Sequence, residues 1–161
     1  MRTKYIVLLL VAGSISFSML SCNKFTDIDP ISEATSENAY STRQEAEAGL
    51  IGAYDALQQE YYIWDNIIFS DIISDNYYAG GDNPEIFAAD KLQVAPTNSR
   101  LLNNWTQLYS GILRANTVLD KVPTIQDPNL DEGGRRGEIL GEAHFLRALH
   151  YFNLVKMFGG V

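Results

Sequence analysis

Apolar residues fall into stretches of helical spacing, separated by polar turns rich in Gly, Pro, Asn and Asp. Thr42 and Glu45 form a capping-box pattern, in which the hydroxyl accepts from an early amide and the carboxylate reaches back. The pattern predicts a helix with apolar positions Ala46, Leu50, Ala53, Tyr54, Leu57 and Tyr61, which lie on one stripe. Gly49 and Gly52 interrupt it, each costing up to about 1 kcal/mol relative to Ala, which points to close approach of a neighbouring helix or else to a smooth exposed face. Trp64, Ile67, Ile68 and Ile72 predict a second, short and strongly apolar helical stripe. Residues 76–97 then read as a long irregular segment, with turn chemistry at Gly80-Gly81-Asp82-Asn83-Pro84 and Pro96 at its close.

Asn98 or Ser99 caps the clearest helix, which Pro123 stops after Val122. Its apolar positions Leu101, Trp105, Leu108, Ile112, Ala115, Leu119 and Val122 alternate spacings of four and three, a seam that needs a partner helix alongside. Leu102, Tyr109 and Leu113 widen this face, which favours an antiparallel pair within a domain over a free coiled-coil dimer. After a polar turn over 124–134, a last helix starts between Arg135 and Glu138 and runs to Phe158. Its apolar side chains recur on every side, so it is expected to be covered on most faces. The pattern predicts an all-α fold of paired helices over residues 42–161.

The N-terminus changes the picture. Arg2 and Lys4 precede the apolar run Tyr5 to Ala12 and a small-residue stretch, the order of a secretory signal peptide over residues 1–21. Spanning a membrane needs roughly 20 predominantly apolar residues, more than this run supplies. The exit Met19-Leu20-Ser21-Cys22 resembles a bacterial lipobox, in which the Cys becomes the lipidated first residue. Cys22 is the single cysteine and has no disulfide partner, and in an exported protein a lipidated sulfur avoids the liability of a free thiol. Removing residues 1–21 leaves 10 basic and 20 acidic residues, a net charge of −10. Such a chain gains no counterion-release affinity for nucleic acid and no pull toward anionic lipid, so membrane attachment rests on the acyl chains at Cys22. Residues 22–41 read as a polar tether. Acidic residues soon after a lipidated Cys mark surface-exported lipoproteins of the Bacteroidetes type; here Lys24 and Phe25 intervene, leaving either leaflet open.

Candidate chemistry is sparse. Asp71 and Asp75 lie four apart, a spacing open to metal ligation or acid/base work but also to caps and arginine partners, the reading adopted here. Asn76, Tyr77 and Tyr78 open the irregular segment and make a candidate sugar-stacking patch, since a tyrosine offers an apolar face with a polar rim; alternatively the tyrosines cover helix ends. Arg147 sits on a helix apolar all round and is expected to form a buried structural ion pair with Asp71 or Glu142, a ligand-binding role being the alternative. His144 and His150 are six apart and face different directions, as packing histidines rather than a shared metal site. No Ser/His/Asp order, zinc pattern, calcium loop or phosphate loop is present, so no catalytic residue, metal or cofactor is expected.

Trp105-x-x-Leu108 with Gly111, and Ala148-x-x-x-Phe152, loosely resemble a tetratricopeptide repeat, with the Gly displaced and both helices longer. More specifically, the chain resembles the N-terminal part of the SusD/RagB family of outer-membrane nutrient-binding lipoproteins. The resemblance rests on Cys22 with Phe25 to Pro30, Ala39 to Thr42, Gly52 to Leu57, Ser70-Asp71, Ala115 to Leu119, Gly141 to Ala148, Tyr151-Phe152 and Phe158 to Val161. It implies tetratricopeptide-like helical pairs and a binding protein rather than an enzyme. It also implies a lipid anchor at the outer membrane, exposed at the cell surface, a TonB-dependent SusC-like transporter as partner, and oligosaccharides or other nutrients as ligands. Family members continue for several hundred residues and carry much of their ligand surface there, so a fragment is expected. An isolated 22–161 product is accordingly expected to be sticky or partly molten. The alternative function is a lipid-anchored, tetratricopeptide-type adaptor, or a fragment without function of its own.

Overall fold

Thr42 starts the first helix as its spacing requires: its hydroxyl accepts from the Glu45 amide, and the Glu45 carboxylate returns to the Thr42 amide at 2.9 Å. The computed structural model describes residues 39–161; the signal segment 1–21, Cys22 and the tether through residue 38 lie outside the described residues. Helix α1 spans Arg43–Asp55 and is followed by a 3₁₀ turn, Ala56–Gln58, and a π-helical turn, Tyr61–Asp65. Helix α2 is Asn66–Asp71 and α3 is Pro84–Asp90. Helix α4, Ser99–Lys121, and α5, Arg135–Phe158, are joined by three 3₁₀ turns. Every regular element among the described residues is helical.

The α4 seam finds its partner in α5. Trp105 stacks on Phe158, Gly111 meets His150 and Asn116 meets Arg147, so the two helices run antiparallel. Helix α1 lies on both: Ala46, Leu50 and Ala53 share a core with Ala115, Val118 and Val122 of α4 and Ile139, Ala143 and Leu146 of α5. Each large aliphatic side chain buried there contributes about 1.5–3 kcal/mol. Polar contacts tie the same three helices at the rim. Arg135 bridges Glu47, Glu138 and Glu142, and Arg114 donates to the Gly52 carbonyl and to Asp55. Arg136 holds the connecting turn by donating to the Val122 and Ile125 carbonyls and pairing with Asp131. A second cluster, Tyr61, Leu108, Ile112 and Leu154, seats the π-turn on the α4–α5 pair.

Four expectations are corrected. The irregular segment contains α3, because Pro84 occupies the first helical turn, where a missing amide costs nothing, and Asn83 caps it. The stripe of Trp64 and Ile67 is exposed, and the π-turn instead buries Tyr61 and Asp65. Gly49 is needed for the Tyr40 ring rather than a helix, and nothing crowds Gly52. Helix α5 buries one face, through Ile139, Ala143, Leu146, His150 and Leu154, and leaves Phe145, Phe152 and Val155 open. Among the described residues no helix is long and apolar enough to cross a membrane.

Candidate functional site

The segment carrying Tyr77 and Tyr78 is fixed from behind. The Asp90 carboxylate accepts from the Ala79 amide at 3.0 Å, which ties the end of α3 to the residue after the tyrosines. Glu85 accepts from both the Ser99 amide and hydroxyl at 2.8 Å, and these bonds hold its carboxyl below the usual range. The segment is thereby anchored to the start of α4, where Asn98 caps the helix. On this support Tyr77 is 61% and Tyr78 83% exposed, beside exposed Asn76. The tyrosines do not cover helix ends; they stand in solvent. Trp64 and Ile67 on the π-turn and α2 are also open.

A cavity of about 500 Å³ lies between the π-turn with α2, the stretch leading into α4, and the end of α5. Its walls are mainly apolar, with Tyr61, Phe69, Leu101 and Met157, and Asn66 and Ser70 supply polar groups. That size and mixture suit a small-molecule site. Tyr61 is itself buried, and burial pushes its hydroxyl up to about 12, so it stays protonated. Behind the wall, Asp65 is fully buried and accepts from Arg100 at 2.7 Å, while Glu60 takes the same guanidinium at 3.0 Å. Burial raises the Asp65 carboxyl, Arg100 opposes this, and Glu60 adds to it. The Gln107 side chain accepts from the Tyr61 amide, completing the attachment of the π-turn to α4.

Arg147 does not pair with Asp71 or Glu142. Its guanidinium donates to Asn116 at 3.1 Å and lies 3.2 Å from His144 Nδ1. Glu142 is five residues away on α5, well round the helix, and is taken by Arg135 and by the Tyr54 hydroxyl. Asp71 accepts from Ser70. The buried-pair expectation assumed a helix covered all round, and α5 is covered on one face. The histidines separate as their spacing requires: His144 is exposed and His150 fully buried. Among the described residues no group of three or more His, Cys, Asp or Glu is placed to hold a metal ion. The sequence pattern did not single out Asp65, Arg100 or the contact of His150 with Gly111. The regular spacing of Tyr61, Asp65 and Phe69, four apart on one helical face, was the one available signal.

Among the described residues the fold is all-helical, built on the long antiparallel pair α4–α5, with an exposed aromatic patch and a side cavity. A family model described as starch-binding associating with outer membrane, of SusD-like type, matches residues 24–161. The chain belongs to the SusD-like family. It is 33% identical over 143 residues to SusD-like protein P38 of Formosa agariphila, covering 88% of this chain and 27% of the relative. It is 26% identical over 160 residues to SusD-like protein P25 of the same organism, covering 89% of this chain and 28% of the relative. The chain thus spans about a quarter of the length of these curated relatives. No solved structure matches the chain.

Proposed function

We propose that this protein captures oligosaccharides or other nutrients at the outer membrane and hands them to a TonB-dependent, SusC-like transporter. The observation that carries this reading is the match of a starch-binding, outer-membrane family over residues 24–161. The lipid anchor belongs to the proposal, with Cys22 acylated after removal of residues 1–21 and the helical domain displayed at the cell surface. Asn76, Tyr77 and Tyr78 are the proposed ligand contacts, because exposed tyrosine rings on a braced segment provide stacking surface for a sugar. Binding rather than catalysis is the proposed activity, and no cofactor enters it. The test is affinity electrophoresis of the protein through gels containing neutral polysaccharides. Retardation by at least one polysaccharide is expected, and unretarded migration through a broad panel would reject glycan capture.

The second reading is a lipid-anchored adaptor for protein partners. It is favoured by one feature, the open seam Phe145, Ala148, Phe152 and Val155 on α5, spaced three, four and three. Unretarded migration together with loss of a specific protein partner on Phe152→Ser would select it.

A further inference from the structure

Helix α5 reaches the π-turn through polar contacts that converge on the Tyr62 hydroxyl. Tyr62 of the turn and His150 of α5 meet hydroxyl to Nδ1 at 2.8 Å, and their rings cross at 73°. The Tyr62 oxygen also accepts from Asn153 Nδ2 at 3.4 Å, which leaves the hydroxyl proton for His150 Nδ1. The imidazole is fully buried and lies against Gly111, where a side chain would otherwise be, and its Nε2 has no hydrogen-bond partner. Tyr61, packed edge-to-face on Tyr62, is a wall of the cavity.

We propose that His150 and Tyr62 form an acid-released latch that holds the π-turn, and with it one wall of the cavity, against the α4–α5 pair. A proton on Nδ1 turns that atom from acceptor to donor. Two donors, Nδ1–H and the Asn153 amide, then converge on one hydroxyl oxygen whose own proton has lost its acceptor. The new positive charge stays buried, with Nε2–H facing Gly111. Withdrawal of Tyr62 and admission of water relieve all three conflicts. Among the described residues the surroundings supply no counter-charge: Tyr62 is the titratable group facing the imidazole from the π-turn, α4 presents Gly111, and α5 itself presents neutral Asn153. Burial alone pulls the imidazole down from 6.5 to about 4, and burial pushes the Tyr62 hydroxyl up to about 12, so both are neutral in the closed state. π-helical turns are rare and occur frequently at functional sites.

The experiment is amide hydrogen exchange followed by NMR, corrected for the intrinsic pH dependence. It compares Tyr61, Tyr62 and Ile63 of the turn with Leu108, Val118 and Leu146 of the core. The turn amides are expected to exchange through a smaller opening than the core. That opening should grow about tenfold for each pH unit between 6.5 and about 4, because the open imidazole regains its ordinary affinity for a proton. His150→Asn retains an acceptor near Nδ1 without a titrating group, and should leave the turn closed with a flat pH profile. Turn protection equal to core protection at every pH would overturn the proposal, as would an unchanged pH profile in His150→Asn. Should that variant fail to fold, Tyr62→Phe decides. Turn protection at pH 7 falling to the wild-type acid level, with the core unmoved, supports the latch, and unchanged turn protection overturns it.

Discussion

Gly111→Ala probes the close approach of α4 and α5. A methyl group at that position would fall within the His150 ring, with Nδ1, Cε1 and Nε2 all inside normal contact distance. The ring cannot retreat cheaply, because it is fully buried and its Nδ1 is held by Tyr62 at 2.8 Å. The helices must therefore separate or the imidazole must leave its rotamer, an overpacking cost of about 1–3 kcal/mol. Against this stands the helical gain of Ala over Gly, up to about 1 kcal/mol. The expected net loss is about 1 kcal/mol and at most about 2, with Tm falling by roughly 3–5 °C per kcal/mol in a domain of this size. Gly141 supplies the control, since it lies exposed within α5 and a methyl there meets nothing within 4 Å. Gly141→Ala should be stabilising by about 0.5–1 kcal/mol. Urea and thermal unfolding of both variants, with Gly111→Ala/His150→Ala to close the cycle, measure the effect. If Gly111→Ala were as stable as Gly141→Ala, or the double variant recovered nothing, the packing of α5 on α4 would be wrong.

Four further outcomes follow from the same structure. Arg100→Met strands the buried Asp65 carboxylate and should cost about 3 kcal/mol in urea unfolding; a change under about 1 kcal/mol would contradict the pair. Leu146→Ala should cost about 2–5 kcal/mol because Leu146 is fully buried. Phe145→Ser, one residue away and 63% exposed, should leave stability nearly unchanged while lowering the binding of an apolar dye. Stability should fall as pH drops below 6.5, because His150 binds its proton in the unfolded chain first and only near pH 4 in the folded one. The loss reaches about 3 kcal/mol at the lower end. Hydrogen-bonded Glu45 and Glu85, whose carboxyls are held low, extend the decline into stronger acid, while the raised Asp65 partly offsets it. Equal stability at pH 7 and pH 5 would contradict the burial of His150.

Much of the framework was legible because local signals and tertiary packing agree. Thr42 with Glu45 placed the start of α1, and Asn98, Pro123 and the Leu101–Val122 seam placed α4 nearly to the residue, whereas the first stripe, read through to Tyr61, breaks at Asp55 into the 3₁₀ and π-turns. Where local chemistry is ambiguous the reading failed. Pro84 signals a turn and a helix start equally well, and only the cap from Asn83 with the tie from Glu85 to Ser99 selects the helix. Apolar periodicity said that Trp64 and Ile67 form a stripe, but not that the π-turn would rotate Tyr61 and Asp65 inward instead. Arg147 needs no buried partner because α5, though apolar all round, is buried on one face only. For the proposed ligand contacts, residue type and segment single out Asn76, Tyr77 and Tyr78, and all three are exposed. The cavity was not identifiable, since its walls come from four separated parts of the chain.

The central claim, that the braced tyrosines capture a glycan, is tested most directly by calorimetry. A polysaccharide that retards the protein is titrated into wild type and into Tyr77→Ala/Tyr78→Ala. Stacking is worth about 0.5–1.5 kcal/mol per ring, so the double variant should bind about tenfold or more weakly with its melting temperature unmoved. Undiminished affinity in the double variant would remove the patch, and these residues with it, from the binding surface.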